Sequence, residues 1–307
     1  MHIIWKILDY LFLLRPTLFF PLWTILLAGR YNAAKTAGFA SGSHPSLTLI
    51  LVLFAALMGA SYTINQLVDY EGDKTNRKLF LVADKYVKRD YAIWLSAVLT
   101  VLGLAGLFSL GFSLGLFGLV FILVTGIFYN LEPFRWKDSP ILGPSVSVFG
   151  GAAAFFLGCL PSLNIELIIK CIPYLAAFTA VSILTSVPDM EGDRAAGKNT
   201  FALNYGIGLA TAVAALMCLA AALIGGLTRD NIILWPALFS CPVFFVALYN
   251  RKRETVILAI KLSIFTLSLV VSFVYPGYLL LMALYFFFGR WYYRSRFDME
   301  YPSFKLD

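Results

Sequence analysis

The sequence predicts an all-α, polytopic membrane protein of nine to ten spanning helices, and three observations carry that expectation. Of 307 residues, 60% are hydrophobic and only 13% are charged; the mean hydropathy is +0.81. The apolar residues fall in long blocks rather than in amphipathic stripes, and block after block reaches the roughly 20 residues that cross a bilayer as a helix. The basic residues cluster in alternate connections, as expected when one side of a membrane retains positive charge.

Taken in order, the predicted spans cover residues 10–29, 46–66, 91–110, 112–131, 140–160, 168–187, 207–227, 232–249, 255–273 and 278–293. The last is short and runs into an aromatic, arginine-rich stretch, FGRWYYRSRF, of the kind found at a membrane interface. The connection after the second span holds Lys74, Arg77, Lys78, Lys85, Lys88 and Arg89. Later alternate connections hold Arg135 and Lys137, then Arg194 and Lys198, then Arg251, Lys252 and Arg253. Both termini are therefore expected in the cytoplasm, with Arg30, Lys35 and Arg229 as exceptions on the other side.

The net charge of +7 follows this topology and forms no basic stripe of its own, which argues against nucleic acid. Cys159, Cys171, Cys218 and Cys241 lie in or beside apolar segments without Cys-x-x-Cys spacing, so they read as small buried residues. His2 and His44 stand at a terminus and in a loop, which leaves no histidine metal site or histidine base. The first apolar run carries Arg15-Pro16 and no convincing cleavage site follows it. Any chemistry must come from carboxylates, Asn, Tyr, Lys and Arg.

Such groups concentrate in two stretches, NQLVDYEGDK at residues 65–74 and PDMEGDR at residues 188–194. Asp189 follows Asp69 by 120 residues, and each stretch follows an even-numbered span, so the chain reads as an internal duplication. On a continuing helix, Asn65, Asp69 and Asp73 stand one above another at i, i+4 and i+8, and Asp189 and Asp193 do the same. Like charges at that spacing repel, and a hard divalent cation with oxygen ligands is the simplest compensation. Mg²⁺ commonly joins one or two carboxylates to substrate phosphates, so two such pairs would hold a diphosphate. Lys74, Arg77, Lys78, Arg194 and Lys198 could take the remaining phosphate charge. Glu71 and Glu191 point off the aspartate face, and Gly72 and Gly192 favour a helix end nearby. The bland alternative, loop charges balancing one another in water, suits one copy better than two matched ones.

At these residues the sequence resembles the UbiA superfamily of intramembrane prenyltransferases. Its motif Asn-x-x-x-Asp-x-x-x-Asp matches Asn65, Asp69 and Asp73; its second, Asp-x-x-x-Asp with a following Gly-Lys-x-Thr, matches Asp189, Asp193, Gly197, Lys198 and Thr200. YNLEPFRWK, residues 129–137, looks like the Tyr-x-x-x-Pro-x-Arg-x-Lys element of its homogentisate, chlorophyll and archaeal lipid branches, and Asn76 and Lys78 look like a further element after the first motif. The resemblance implies nine helices in a bundle around a central cavity, here one domain over 1–307 with a core at about 8–274 and an extra helix at about 278–293. It also implies Mg²⁺-dependent transfer of an isoprenyl group from a polyprenyl diphosphate to a lipid-soluble, chiefly aromatic, acceptor. By motif match, Asn65, Asp69, Asp73, Asp189 and Asp193 would bind the metal and diphosphate, and Lys78, Tyr129, Arg135 and Lys198 would contact substrate. The protein would then sit in the cell membrane with its active site facing the cytoplasm. Leu79 stands where the family often has Pro, and Pro188 before Asp189 is unusual and would kink the sixth span.

Rival readings use the same residues. A membrane terpene cyclase would ionise the same substrate without an acceptor. A carboxylate-dependent transporter would want its acids in mid-span, whereas these lie at span ends beside basic loops. Phosphotransferases acting on CDP-alcohols need one continuous acidic run, which this chain splits. No further aromatic residue is nominated beyond Tyr129, and Lys261, inside an apolar span, is assigned no role.

Overall fold

The structure, a computed structural model, describes residues 2–37, 45–70, 80–195 and 197–303, and within them the chain is helical. Among the described residues eight helices are long and apolar enough to cross a membrane, and Phe112–Phe128 is a shorter apolar helix of 17 residues. The protein is a multi-pass integral membrane protein. In chain order the helices are α1 (His2–Leu13), α2 (Phe19–Ala37), α3 (Leu47–Val68), α4 (Phe80–Ala83), α5 (Arg89–Leu110) and α6 (Phe112–Ile122). After them come α7 (Leu142–Cys159), α8 (Ile165–Leu184), α9 (Met190–Ala195), α10 (Phe201–Leu227), α11 (Asn231–Asn250), α12 (Arg253–Val274) and α13 (Pro276–Phe297).

Three elements depart from the spans read in the sequence. The first is two helices, because Pro16 lacks an N–H and Arg15 before it takes a left-handed conformation (φ 53°). The seventh begins at Phe201, but Gly206 breaks its helical backbone (φ 82°), so the regular part starts where the apolar run does. The last, α13, has the length of a span yet is not among the helices apolar enough to cross, since its polar and basic residues dilute it.

The contacts divide the chain into two compact units. One gathers Met1–Phe20, Pro45–Phe134 and Pro276–Lys305; the other gathers Pro21–His44 and Arg135–Tyr275. Each unit carries one of the two acidic stretches.

In the first unit the helices meet through glycine and aromatic rings. Gly103 and Gly106 of α5 lie against Leu53 and Leu57 of α3, where a β-carbon would strike those side chains. The break between α1 and α2 exposes carbonyls that α3 satisfies: Gln66 Nε2 donates to Leu13 O (2.8 Å) and Tyr62 donates to Leu18 O (3.4 Å). At the other end α13 closes on α1. Phe12 stacks on Tyr292 with ring centroids 3.9 Å apart, and buried Asp9 accepts from Tyr292 (2.7 Å) and Arg296 (3.1 Å). That pairing satisfies a carboxylate which would otherwise be costly to bury.

The second unit packs through small residues, the means by which helices approach closely where lipid offers no hydrophobic drive. Ala176, Ala180, Ala210, Ala214, Ala221 and Ala237 fill the contact of α8, α10 and α11. Gly29 of α2 meets the Phe155 backbone and Gly158 of α7 meets the Leu26 backbone. Asp230 caps α11 through Ile232 N–H (3.0 Å) and also accepts from Tyr174 (2.7 Å) and Asn32 (2.8 Å), tying three helices to one buried carboxylate.

Candidate functional site

The first acidic stretch sits at the end of α3. The helical ladder runs through to Asp69, whose N–H donates to Asn65 O at 2.9 Å, so Asn65 and Asp69 share a face as their spacing predicts. Asn65 Nδ2 approaches Asp69 Oδ2 at 3.4 Å. Asp73 and Lys78, with Glu71, Gly72, Lys74, Asn76 and Arg77, lie outside the described residues.

A residue that sequence reasoning missed completes this corner. Asn130, fully buried, accepts from Asn65 Nδ2 at 2.8 Å. It directly follows Tyr129, which ends a π-helical turn over Leu123–Phe128. Its one sequence signal is an amide at the close of a long apolar run, where helix-end carbonyls need donors.

The second stretch lies after α8. That helix ends at Leu184, and five residues of turn, 185–189, precede α9, so the chain leaves the helix before Pro188 instead of kinking a continuous span there. Asp193 N–H donates to Asp189 O at 2.9 Å, which sets Asp189, just before α9, one helical turn from Asp193 on it. Gly197, at φ 67°, ends α9: its N–H donates to Arg194 O (3.1 Å) and the Lys198 N–H to Asp193 O (2.9 Å). This paired closure needs a left-handed residue, the conformation glycine adopts without strain. It also turns the chain so that Lys198 Nζ returns to within 3.8 Å of Asp193 Oδ1. Thr200, which precedes α10, has a buried Oγ1 with no hydrogen-bond partner among the described residues.

Of the other expected residues, Tyr129 sits at the end of the π-helical turn in the first unit. Arg135 belongs to the second unit, in a left-handed conformation (φ 36°), with Nε 3.0 Å from Asp138 Oδ2. Among the described residues no three His, Cys, Asp or Glu side chains gather into a closed metal cage. The donors present are carboxylate and amide oxygens: Asn65 and Asp69 in the described part of the first stretch, and Asp189, Glu191 and Asp193 in the second. That set suits Mg²⁺, which takes hard oxygen ligands and completes its shell with water and phosphate. The orphaned Thr200 hydroxyl beside Lys198 likewise suits a ligand rich in acceptor oxygens.

Comparison with known proteins agrees with the motifs. The model of the UbiA prenyltransferase family matches residues 21–255. The chain belongs to the UbiA prenyltransferase family. Among curated relatives of this UbiA-family chain, it is 30% identical over 177 residues to a homogentisate phytyltransferase of Synechocystis, covering 53% of this chain and 57% of that protein. It is 30% identical over 184 residues to a digeranylgeranylglyceryl phosphate synthase of Methanoregula boonei, covering 57% and 62% respectively. The matched stretch thus spans less than two thirds of either relative. Among solved structures, a UbiA homolog from Archaeoglobus fulgidus bound to GPP and Mg²⁺ superposes with TM-score 0.65 at 20% identity, over 86% of this chain and 99% of that one. A similarity at that identity speaks to the fold, which is the UbiA helical fold.

Proposed function

We propose that this UbiA-family chain transfers an isoprenyl group from a polyprenyl diphosphate to a lipid-soluble acceptor, with Mg²⁺ as cofactor. The observation that carries the reading is a pair of oxygen-bearing side chains four residues apart beside a helix end, once as the amide–carboxylate pair Asn65 and Asp69 and once as the carboxylates Asp189 and Asp193, the second with a lysine folded back on it. The related structure bound to GPP and Mg²⁺ supports a divalent metal, and the named relatives support prenyl transfer.

In this reading Asn65, Asp69, Asp73, Asp189 and Asp193 hold Mg²⁺, which when bound supplies Lewis-acid neutralisation of the diphosphate charge. Lys78, Lys198 and Arg135 take up negative charge on the leaving diphosphate as the allylic carbon–oxygen bond lengthens. Tyr129 contacts the substrate. The apolar helices keep water from the isoprenyl cation while the acceptor's nucleophilic carbon or oxygen forms the new bond and loses a proton. The acceptor is aromatic in our reading, and the whole chain acts as one catalytic domain in the cell membrane, with the site open to the cytoplasm where the basic connections accumulate.

The test is pyrophosphate release by purified, detergent-solubilised protein given farnesyl, geranylgeranyl or longer diphosphates, with and without a lipid extract and with and without Mg²⁺. Release that needs both Mg²⁺ and the extract is the expected result. Release without the extract would turn the reading toward a cyclase, and no release with any tail would refute it in favour of a transporter.

A further inference from the structure

We infer that Asn130 is the positioning residue of the first acidic stretch: it fixes which end of the Asn65 amide is presented to a bound cation. The inference rests on the prenyltransferase reading.

The reasoning begins with the π-helical turn Leu123–Phe128. Tyr129 N–H keeps the wide register, donating to Val124 O at 3.0 Å. The next two amides, of Asn130 and Leu131, would reach Thr125 O and Gly126 O in that register, yet both turn to Ile127 O, at 3.1 and 2.8 Å. Two carbonyls at the helix end are thereby left without backbone donors. Asn130 Nδ2 supplies both, at 3.1 Å to Thr125 O and 3.0 Å to Gly126 O. An amide has two N–H hydrogens and one carbonyl oxygen, so spending both hydrogens on these carbonyls leaves only Oδ1 to face away.

That oxygen meets Asn65 Nδ2 at 2.8 Å. An oxygen acceptor admits only the NH₂ end of Asn65, and the same Nδ2 lies 3.4 Å from Asp69 Oδ2. The Asn65 nitrogen is thus committed to two acceptors, and Oδ1 is the atom it has to offer. This matters because a flipped Asn65 would turn two hydrogens toward a cation, and a hard cation takes oxygen. A buried amide 65 positions along the chain therefore orients a motif residue from behind, as partners behind metal ligands commonly do. The turn that holds Asn130 also carries Tyr129, so one backbone segment references both.

The experiment is a Mn²⁺ titration followed by EPR on the purified full-length protein with geranylgeranyl diphosphate present, comparing wild type, N130S, N130Q, N65A and the N65A/N130S double variant. Loss of an orienting partner typically weakens metal affinity about 10–100-fold. N130S should bind Mn²⁺ at least about tenfold more weakly than wild type, N130Q should fall between them, and N130S should add less than about twofold once Asn65 is gone, because it acts through Asn65. Wild-type affinity in a folded N130S, or an undiminished loss in the N65A background, overturns the inference alone. A wild type that takes up no Mn²⁺ overturns the functional reading with it. Failure of both Asn130 variants to fold makes Asn130 a residue of the fold and overturns the positioning role.

Discussion

Replacing Gly158 by alanine tests the packing of the second unit most sharply. The new β-carbon would overlap the carbonyl oxygen of Leu26 and lie 2.8 Å from Arg30 N and 3.0 Å from Leu26 C. Ordinary contact begins at 3.4 Å, so the shortfall at Arg30 N alone is 0.6 Å (3.4 minus 2.8) and at the carbonyl it is larger. These are backbone atoms, which cannot swing aside as a side-chain tip can, so α2 and α7 must separate along the whole crossing. Forcing an extra methyl into a packed interior costs about 1–3 kcal/mol, and separating two helices also forfeits their dispersion contacts. A loss of about 3 kcal/mol corresponds to roughly 6–12 °C in a chain of this size. The assay is unfolding of the detergent-solubilised protein by intrinsic fluorescence at one fixed scan rate, since such transitions are rate-dependent. Gly277 is the control: nothing lies within 4 Å of the β-carbon that alanine would add there, and Gly277→Ala should leave the transition unchanged or raise it slightly. Gly29→Ala, which meets the Phe155 backbone, should mimic Gly158→Ala, and the double variant should lose less than the sum. A Gly158→Ala protein melting within about 2 °C of wild type would refute backbone-on-backbone packing of α2 and α7.

Asp69→Asn and Asp193→Asn should each lower pyrophosphate release by at least about a hundredfold while the melting transition holds, because they remove charge from the proposed Mg²⁺-binding residues without altering volume; unchanged turnover in either would remove that residue from the proposed site. Gly197→Ala imposes a β-carbon at φ 67° in otherwise open space, so it should cost about 1 kcal/mol of local order at the α9 end and raise the KM for the diphosphate by releasing Lys198 from Asp193. Steady-state kinetics would show it as a KM effect; a pure kcat loss would contradict the assigned role. Asp230→Ala strands the Tyr174 hydroxyl and the Ile232 N–H without their acceptor and should destabilise by about 2–4 kcal/mol, read from the same fluorescence melt. Cys218 and Cys241, on α10 and α11 with sulfurs 3.5 Å apart, should crosslink under a membrane-permeant oxidant, which tryptic mass spectrometry would detect; two thiols that stay reduced would contradict that helix pairing.

What could be read from the chain alone was local in origin. A run of apolar residues long enough to span a bilayer needs no knowledge of its neighbours, and so most spans could be placed to within a turn or two; the first, read as unbroken over 10–29, is instead split at Pro16 into α1 and α2. The i, i+4 spacing likewise puts Asn65 with Asp69 and Asp189 with Asp193, because helix geometry couples residues four apart. The low apolarity of α13 was visible in FGRWYYRSRF, whereas its grip on Asp9 through Tyr292 and Arg296 was not.

Tertiary structure decided the rest. Nothing in the sequence joins Asn65 to Asn130, 65 positions away, or Asp230 to Asn32, 198 positions away, because each bond depends on which faces of two helices pack together. Gly29 and Gly158 are two glycines among 23 until the fold sets them against opposing backbones. Hydropathy and helical period are properties of a segment and are written in its own residues. The orientation of an amide and the closeness of two helices are properties of a pair, and they come into being only when the segments pack.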